Sequence, residues 1–320
     1  MPLPHIVLVV ADDLGYHMTG YDGSLQAYTP SLDALVDQGI HLTRVYGASA
    51  CSPARHALLM GRLPNNAGMT NVTMGTQSQS DTLTSLAMRT IAQRLKDEAG
   101  YRTHAAGKWG VGLTVMSQLP LQRGFESYMG YLSNEVYPYT HLLYGGCMNT
   151  GEDRQDIWYG NDPYSVAFGQ PDGYNDELHT DHIVRVIEDH DPSQPLFALL
   201  ALQNPHSPYE TPPERYVERI DWHLGRLPSS NRPRATSVYN ATVYQMGAVR
   251  VAACQRRLAS ALSASTQSHT EVTPSDSNVH AERDSGGGRR CRQCDRGAAV
   301  QEHVGHHVAR VHERQRGPSL

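Results

Sequence analysis

The chain has 320 residues, 39% of them apolar, which is enough for one large α/β domain or two ordinary ones. Its 27 Lys and Arg stand against 32 Asp and Glu, and the net charge of −5 gives no electrostatic draw toward nucleic acid or acidic membrane surfaces. Five scattered cysteines, an odd number, imply no disulfide framework, and no apolar run reaches the roughly 20 residues a membrane span needs.

His5 to Ala11 is a near-continuous β-branched and apolar run, as expected of a parallel strand buried on both faces. Asp12-Asp13 follows at its carboxyl end, two hard oxygen donors of the kind that suit Ca²⁺ or Mg²⁺. Thr29-Pro30-Ser31 starts a helix with Leu32, Leu35 and Val36 on one side, Gly39 ends it, and Ile40 to Tyr46 is strand-like. In Cys51 to Gly61, Ser52 is a good N-cap, Pro53 suits the first helical position and Gly61 supplies a left-handed stop. Cys51 therefore sits at a helix N-terminus, where backbone N–H groups and the helix dipole favour an anion, with Arg55 one turn on.

A longer helix is expected over Leu83 to Ala99, closed by Gly100, and Tyr101 to Ala106 leads into the loop Gly107-Lys108-Trp109-Gly110. Another helix, Leu178 to His190, precedes the apolar strand Leu196 to Leu202, which empties into Gln203-Asn204-Pro205-His206. Strands alternating with helices predict an α/β fold with a doubly wound, mostly parallel sheet. Ligands of such sheets bind outside the carboxyl ends of the strands, where Asp12, Asp13, Lys108 and His206 fall.

Beyond Tyr244 the chain has no Ile, Phe, Trp, Tyr or Lys. Arg, Ser, His, Ala and Gly dominate, so residues 241–320 read as a low-order tail or as a stretch translated out of frame. Cys291 and Cys294 with His303 and His307 imitate zinc-ligand spacing, but no apolar residues are placed to build a core around a metal. Asn71-Val72-Thr73 and Asn240-Ala241-Thr242 match the glycosylation pattern, whereas Met1 leads into the first strand without a signal-peptide pattern. The compartment is left open.

Cys51-Ser52-Pro53-Ala54-Arg55, with Leu58 and Gly61, resembles the signature of the type I sulfatases, although Met60 stands where that family usually has a small hydroxyl residue. The resemblance runs from about His5 to Asn240, and the segment Gly124 to Tyr131 looks closest to the arylsulfatase B-like branch. It implies an alkaline-phosphatase-like fold, incomplete in this chain over residues 1–240, in which a formylglycine-generating enzyme oxidises Cys51 to formylglycine. It also implies hydrolysis of the sulfate ester of a small molecule or glycan. Catalysis would fall to Cys51, Arg55, Lys108 and His206, and Ca²⁺ or Mg²⁺ to Asp12, Asp13 and the modified Cys51.

Three further departures from the family pattern stand beside these matches. Gly110 replaces the histidine of the Gly-Lys-Trp-His loop, no lysine follows Lys108, and the late Asp-Asn-Gly metal-ligand segment has no counterpart. They keep open a second reading, a catalytically inactive remnant that binds sulfated ligands. A phosphohydrolase of the same architecture is disfavoured by the cysteine signature.

Overall fold

The computed structural model describes residues 3–67, 86–144, 154–163 and 173–226. The chain divides into two units, Met1–Glu271 and Val272–Leu320, and the second lies wholly outside the described residues. So do both glycosylation tripeptides, the zinc-like spacing and the tail. Among the described residues no helix is long and apolar enough to cross a membrane.

A six-stranded sheet forms the centre, in the order β1 (Ile6–Val10), β6 (Leu196–Ala201), β2 (Arg102–Lys108), β3 (Ser127–Tyr131), β4 (Trp158–Tyr159) and β5 (Asp162–Pro163). The first four strands are parallel and the short β4 and β5 antiparallel, as the alternation of strands and helices predicts for an α/β sheet. The apolar run of β6 is wholly buried and feeds both faces of the sheet. Phe197, Leu199 and Ala201 point into one cluster with Trp109, Phe125 and Tyr128, while Leu196, Ala198 and Leu200 join Ile183, Val184 and Ile187 on the other.

The helices are α1 (Pro30–Gln38), α2 (Cys51–Met60), α3 (Ile91–Ala99), α4 (Asn175–Asp189) and α5 (Glu214–Gly225). α3 starts later than Leu83 because Thr90 and Gln93 form a reciprocal capping box; residues 83–85 lie outside the described set. α4 begins three residues before Leu178, at Asn175. Two strand expectations are corrected. β1 is only half-buried, because among the described residues it pairs on one side alone, with β6. Ile40 to Tyr46 has the residues of a strand but pairs with none among the described residues, and Ile40 and Tyr46 are each 88% exposed.

Between α4 and the sheet, His104 Nδ1 and His182 Nε2 both approach the Ser127 hydroxyl, at 2.8 and 3.4 Å. Burial, helped by His104, His179 and Arg185, pushes His182 down to about 4, and burial lowers His104 in the same direction. The fold thus holds a neutral His182, whereas the unfolded chain takes up the proton first as pH falls below about 6.5. The stabilisation is complete above that pH and is lost on the way down to about 4, a change of about 3 kcal/mol. Thermal melts should therefore fall steeply between about pH 6.5 and about pH 4.5, and His182→Gln should flatten that slope. Parallel profiles for the two proteins would contradict this account of His182.

Candidate functional site

The site lies at the carboxyl ends of β1, β2 and β6. Asp12 and Asp13 leave β1, Lys108 is the last residue of β2, and Gln203 to His206 follow β6. Lys108 belongs to the strand and not to the expected loop, because β2 keeps its parallel register with β3 through the pair Lys108–Tyr131. Its side chain is accordingly buried.

α2 begins two residues before the expected start at Pro53. Cys51 is its first residue, Ala50 is the N-cap, and Gly61 closes the helix in the left-handed conformation. Ser52 is not the cap, because its hydroxyl donates to Asn134 Oδ1 at 3.1 Å across the site. Cys51 is a half-buried free thiol at the helix N-terminus, and with Asp12, Asp13, Arg55 and Leu58 it lines a cleft of about 680 Å³.

One buried charge cluster organises this region. Lys108 Nζ donates to Asp12 Oδ2 at 2.6 Å, Arg55 Nη2 lies 3.4 Å from Asp12 Oδ1, and Arg55 Nη1 donates to the Lys108 carbonyl at 2.8 Å. Burial opposes ionisation of Asp12, but the charges of Lys108 and Arg55 outweigh it and hold the carboxyl below its ordinary range. Arg55 Nη2 is buried and makes no hydrogen bond among the described residues, which leaves a donor beside Asp12 at the base of the cleft.

Asp13, in a left-handed conformation with φ 58°, turns away from Asp12, and its side chain is 66% exposed. His206 Nε2 lies 3.3 Å from Asp13 Oδ2 and 3.8 Å from Glu135 Oε1. Its Nδ1 is 2.7 Å from the Ser207 carbonyl, which can only accept, so Nδ1 carries a proton and Nε2 is the atom left to exchange one.

Asp12, Asp13, Cys51, Arg55, Lys108 and His206 are thus linked through shared contacts or a shared cleft. Asn134, Glu135 and Asp176 join them, and sequence spacing did not single these out. Only an acidic residue in the first turn of a helix marked Asp176. Gly110, with φ 66°, stands against the site: a Cβ there would lie 3.3 Å from Arg55 Cδ.

A divalent cation does not fit the described residues as they stand. Both Asp12 oxygens face cations, Asp13 faces His206, and no three His, Cys, Asp or Glu side chains converge among the described residues.

The sulfatase family profile matches residues 4–249. Mouse (Mus musculus) arylsulfatase J is 33% identical over 232 residues, which cover 72% of this chain and 36% of that protein. Human (Homo sapiens) arylsulfatase A is 38% identical over 148 residues, 46% of this chain and 27% of that protein. The chain therefore spans well under two thirds of the length of these relatives. The crystal structure of Ps i-CgsB superposes with a TM-score of 0.63 at 24% identity, covering 82% of this chain and 56% of that one. Its complex with k-i-k-neocarrahexaose gives 0.59 at 23% identity, over 82% of this chain and 56% of that one. The fold is thus that of the sulfatases and their alkaline-phosphatase-like class, and with the profile covering most of its length the chain belongs to the sulfatase family.

Proposed function

We propose that this chain hydrolyses sulfate esters through a formylglycine made from Cys51 by a formylglycine-generating enzyme. The observation that carries the reading is the placing of Cys51 and Arg55 at the start of α2, in one cleft with Asp12 and with Lys108 buried behind it. The catalytic region is read as residues 1–240, since every residue of this set falls between Asp12 and His206. Within the family, the segment Gly124 to Tyr131 supports an arylsulfatase B-like branch.

When present, hydrated formylglycine supplies an oxygen nucleophile, and its return to the aldehyde releases sulfate. Arg55 Nη2 is the donor available to a sulfate oxygen, and the helix N-terminus adds a favourable field for the anion. Lys108 holds Asp12 ionised and keeps positive charge beneath the sulfate. His206, through Nε2, gives the proton to the leaving alcohol. Ca²⁺ or Mg²⁺, which the resemblance assigns to Asp12, Asp13 and the modified Cys51, does not fit these carboxylates in the pairings they hold. The substrate class is a sulfated small molecule or glycan.

Gly110, which has no side chain to bind sulfate or move a proton, and the incomplete cation shell favour the second reading, binding of sulfated ligands without turnover. Initial rates on an aryl sulfate and on the matching aryl phosphate, with Cys51 converted, separate these readings. Slow hydrolysis confined to the sulfate is expected. Saturable sulfate binding without hydrolysis establishes the second reading, and faster cleavage of the phosphate overturns both.

A further inference from the structure

His206 reaches its place through a support on a different element. The carboxylate of Asp176, fully buried in the first turn of α4, accepts the backbone N–H of Gln203 on Oδ1 and that of Asn204 on Oδ2, both at 2.9 Å. The two residues before it grip the same dipeptide: Asn175 Nδ2 donates to Gln203 Oε1 at 3.2 Å, and the Tyr174 hydroxyl donates to Asn204 Oδ1 at 3.2 Å. The Gln203 carbonyl then accepts the His206 N–H at 2.9 Å, and the Asn204 carbonyl accepts the Asp12 N–H at 3.3 Å. One dipeptide thus ties His206 to Asp12, and one carboxylate holds that dipeptide.

We propose that Asp176 is a positioning residue for His206, fixing the turn after β6 so that Nε2 faces Asp13, which lines the cleft. The proposal rests on the reading of His206 as the proton donor. Only a carboxylate meets the requirement. Two parallel N–H groups need two acceptor oxygens, and a buried charge is tolerated where charge-assisted hydrogen bonds satisfy it. Asparagine offers one acceptor and sets an N–H₂ group against the second amide. Loss of one such bond leaves a buried donor unmet and frees the turn.

Carbethoxylation of His206 by diethyl pyrocarbonate, followed by mass spectrometry of the full chain, reads its placement directly. Asp176→Asn should raise the His206 rate roughly tenfold, the shift that losing one buried hydrogen bond brings, while exposed His41 in the same sample keeps its rate. Equal His206 rates in a folded variant overturn the proposal. Should the variant fail to fold, amide exchange in the unaltered protein decides: Gln203 and Asn204 N–H groups should be strongly protected, and rapid exchange overturns the proposal. On an aryl sulfate, Asp176→Asn should lower kcat with KM held. If His206→Ala leaves turnover intact, the proton-donor reading falls, while the reactivity and exchange results still judge the positioning.

Discussion

Replacing Lys108 by methionine is expected to destabilise the protein by about 3 kcal/mol or more, a large loss for a side chain that touches no solvent. Methionine is an unbranched chain one heavy atom shorter than lysine and brings no charge. Asp12, itself buried, would keep only Arg55, whose Nη2 lies 3.4 Å away without a hydrogen bond. Breaking a buried pair by removing one partner costs about 3–5 kcal/mol, because the other charge stays behind without its counter-ion. The double change Asp12→Asn with Lys108→Met should recover part of the loss, since it leaves no orphaned carboxylate. Urea denaturation of the three proteins measures this. A loss under about 1 kcal/mol for Lys108→Met would mean that water reaches the pair and that the charges are not coupled as described.

The second large effect is expected at Gly107, one residue earlier. Its φ is 98°, and a Cβ there would lie 1.8 Å from the Ala201 carbonyl oxygen and 2.6 Å from the carbonyl carbon. Those atoms are backbone of the central strand β6, so no side chain can swing aside. Strain at a disfavoured φ and overpacking of a filled core each cost about 1–3 kcal/mol, and Gly107→Ala should therefore lose about 4 kcal/mol in denaturant melts. Gly47 is the control, because a Cβ there meets nothing within 4 Å and its φ is ordinary. Gly47→Ala should stay within about 0.5 kcal/mol. Equal losses at both positions would show that the close approach of β2 to β6 does not constrain Gly107.

How much of the fold and site is legible in the chain depends on how far away each residue's partners lie. The left-handed stop at Gly61, the buried run Leu196 to Ala201 and the acidic pair after β1 depend on neighbours a few residues away, and all three were legible from order and spacing. The burial of Lys108 was not, because it depends on the pairing of β2 with β3 and on Asp12, 96 residues distant. The same holds for Ser52, whose hydroxyl reads as a local cap until Asn134, 82 residues on, takes it. Asp176 belongs with them, since its partners Gln203 and Asn204 meet it only once α4 packs on β6. Ile40 to Tyr46 is the opposite case. Its strand-like composition is plain, but a strand needs a partner as well as a pattern, and among the described residues that segment has none. Register and pairing are long-range quantities, and a single sequence carries them only weakly.

The most direct test of the account is the mass of the peptide containing Cys51 from the full chain coexpressed with a formylglycine-generating enzyme. The proposed hydrolysis requires that Cys51, the first residue of α2 and four residues before Arg55, be converted to an aldehyde. The expected peptide carries the aldehyde, trapped as a hydrazone and refractory to thiol alkylation. An intact thiol at Cys51, fully alkylated under the same conditions, contradicts it.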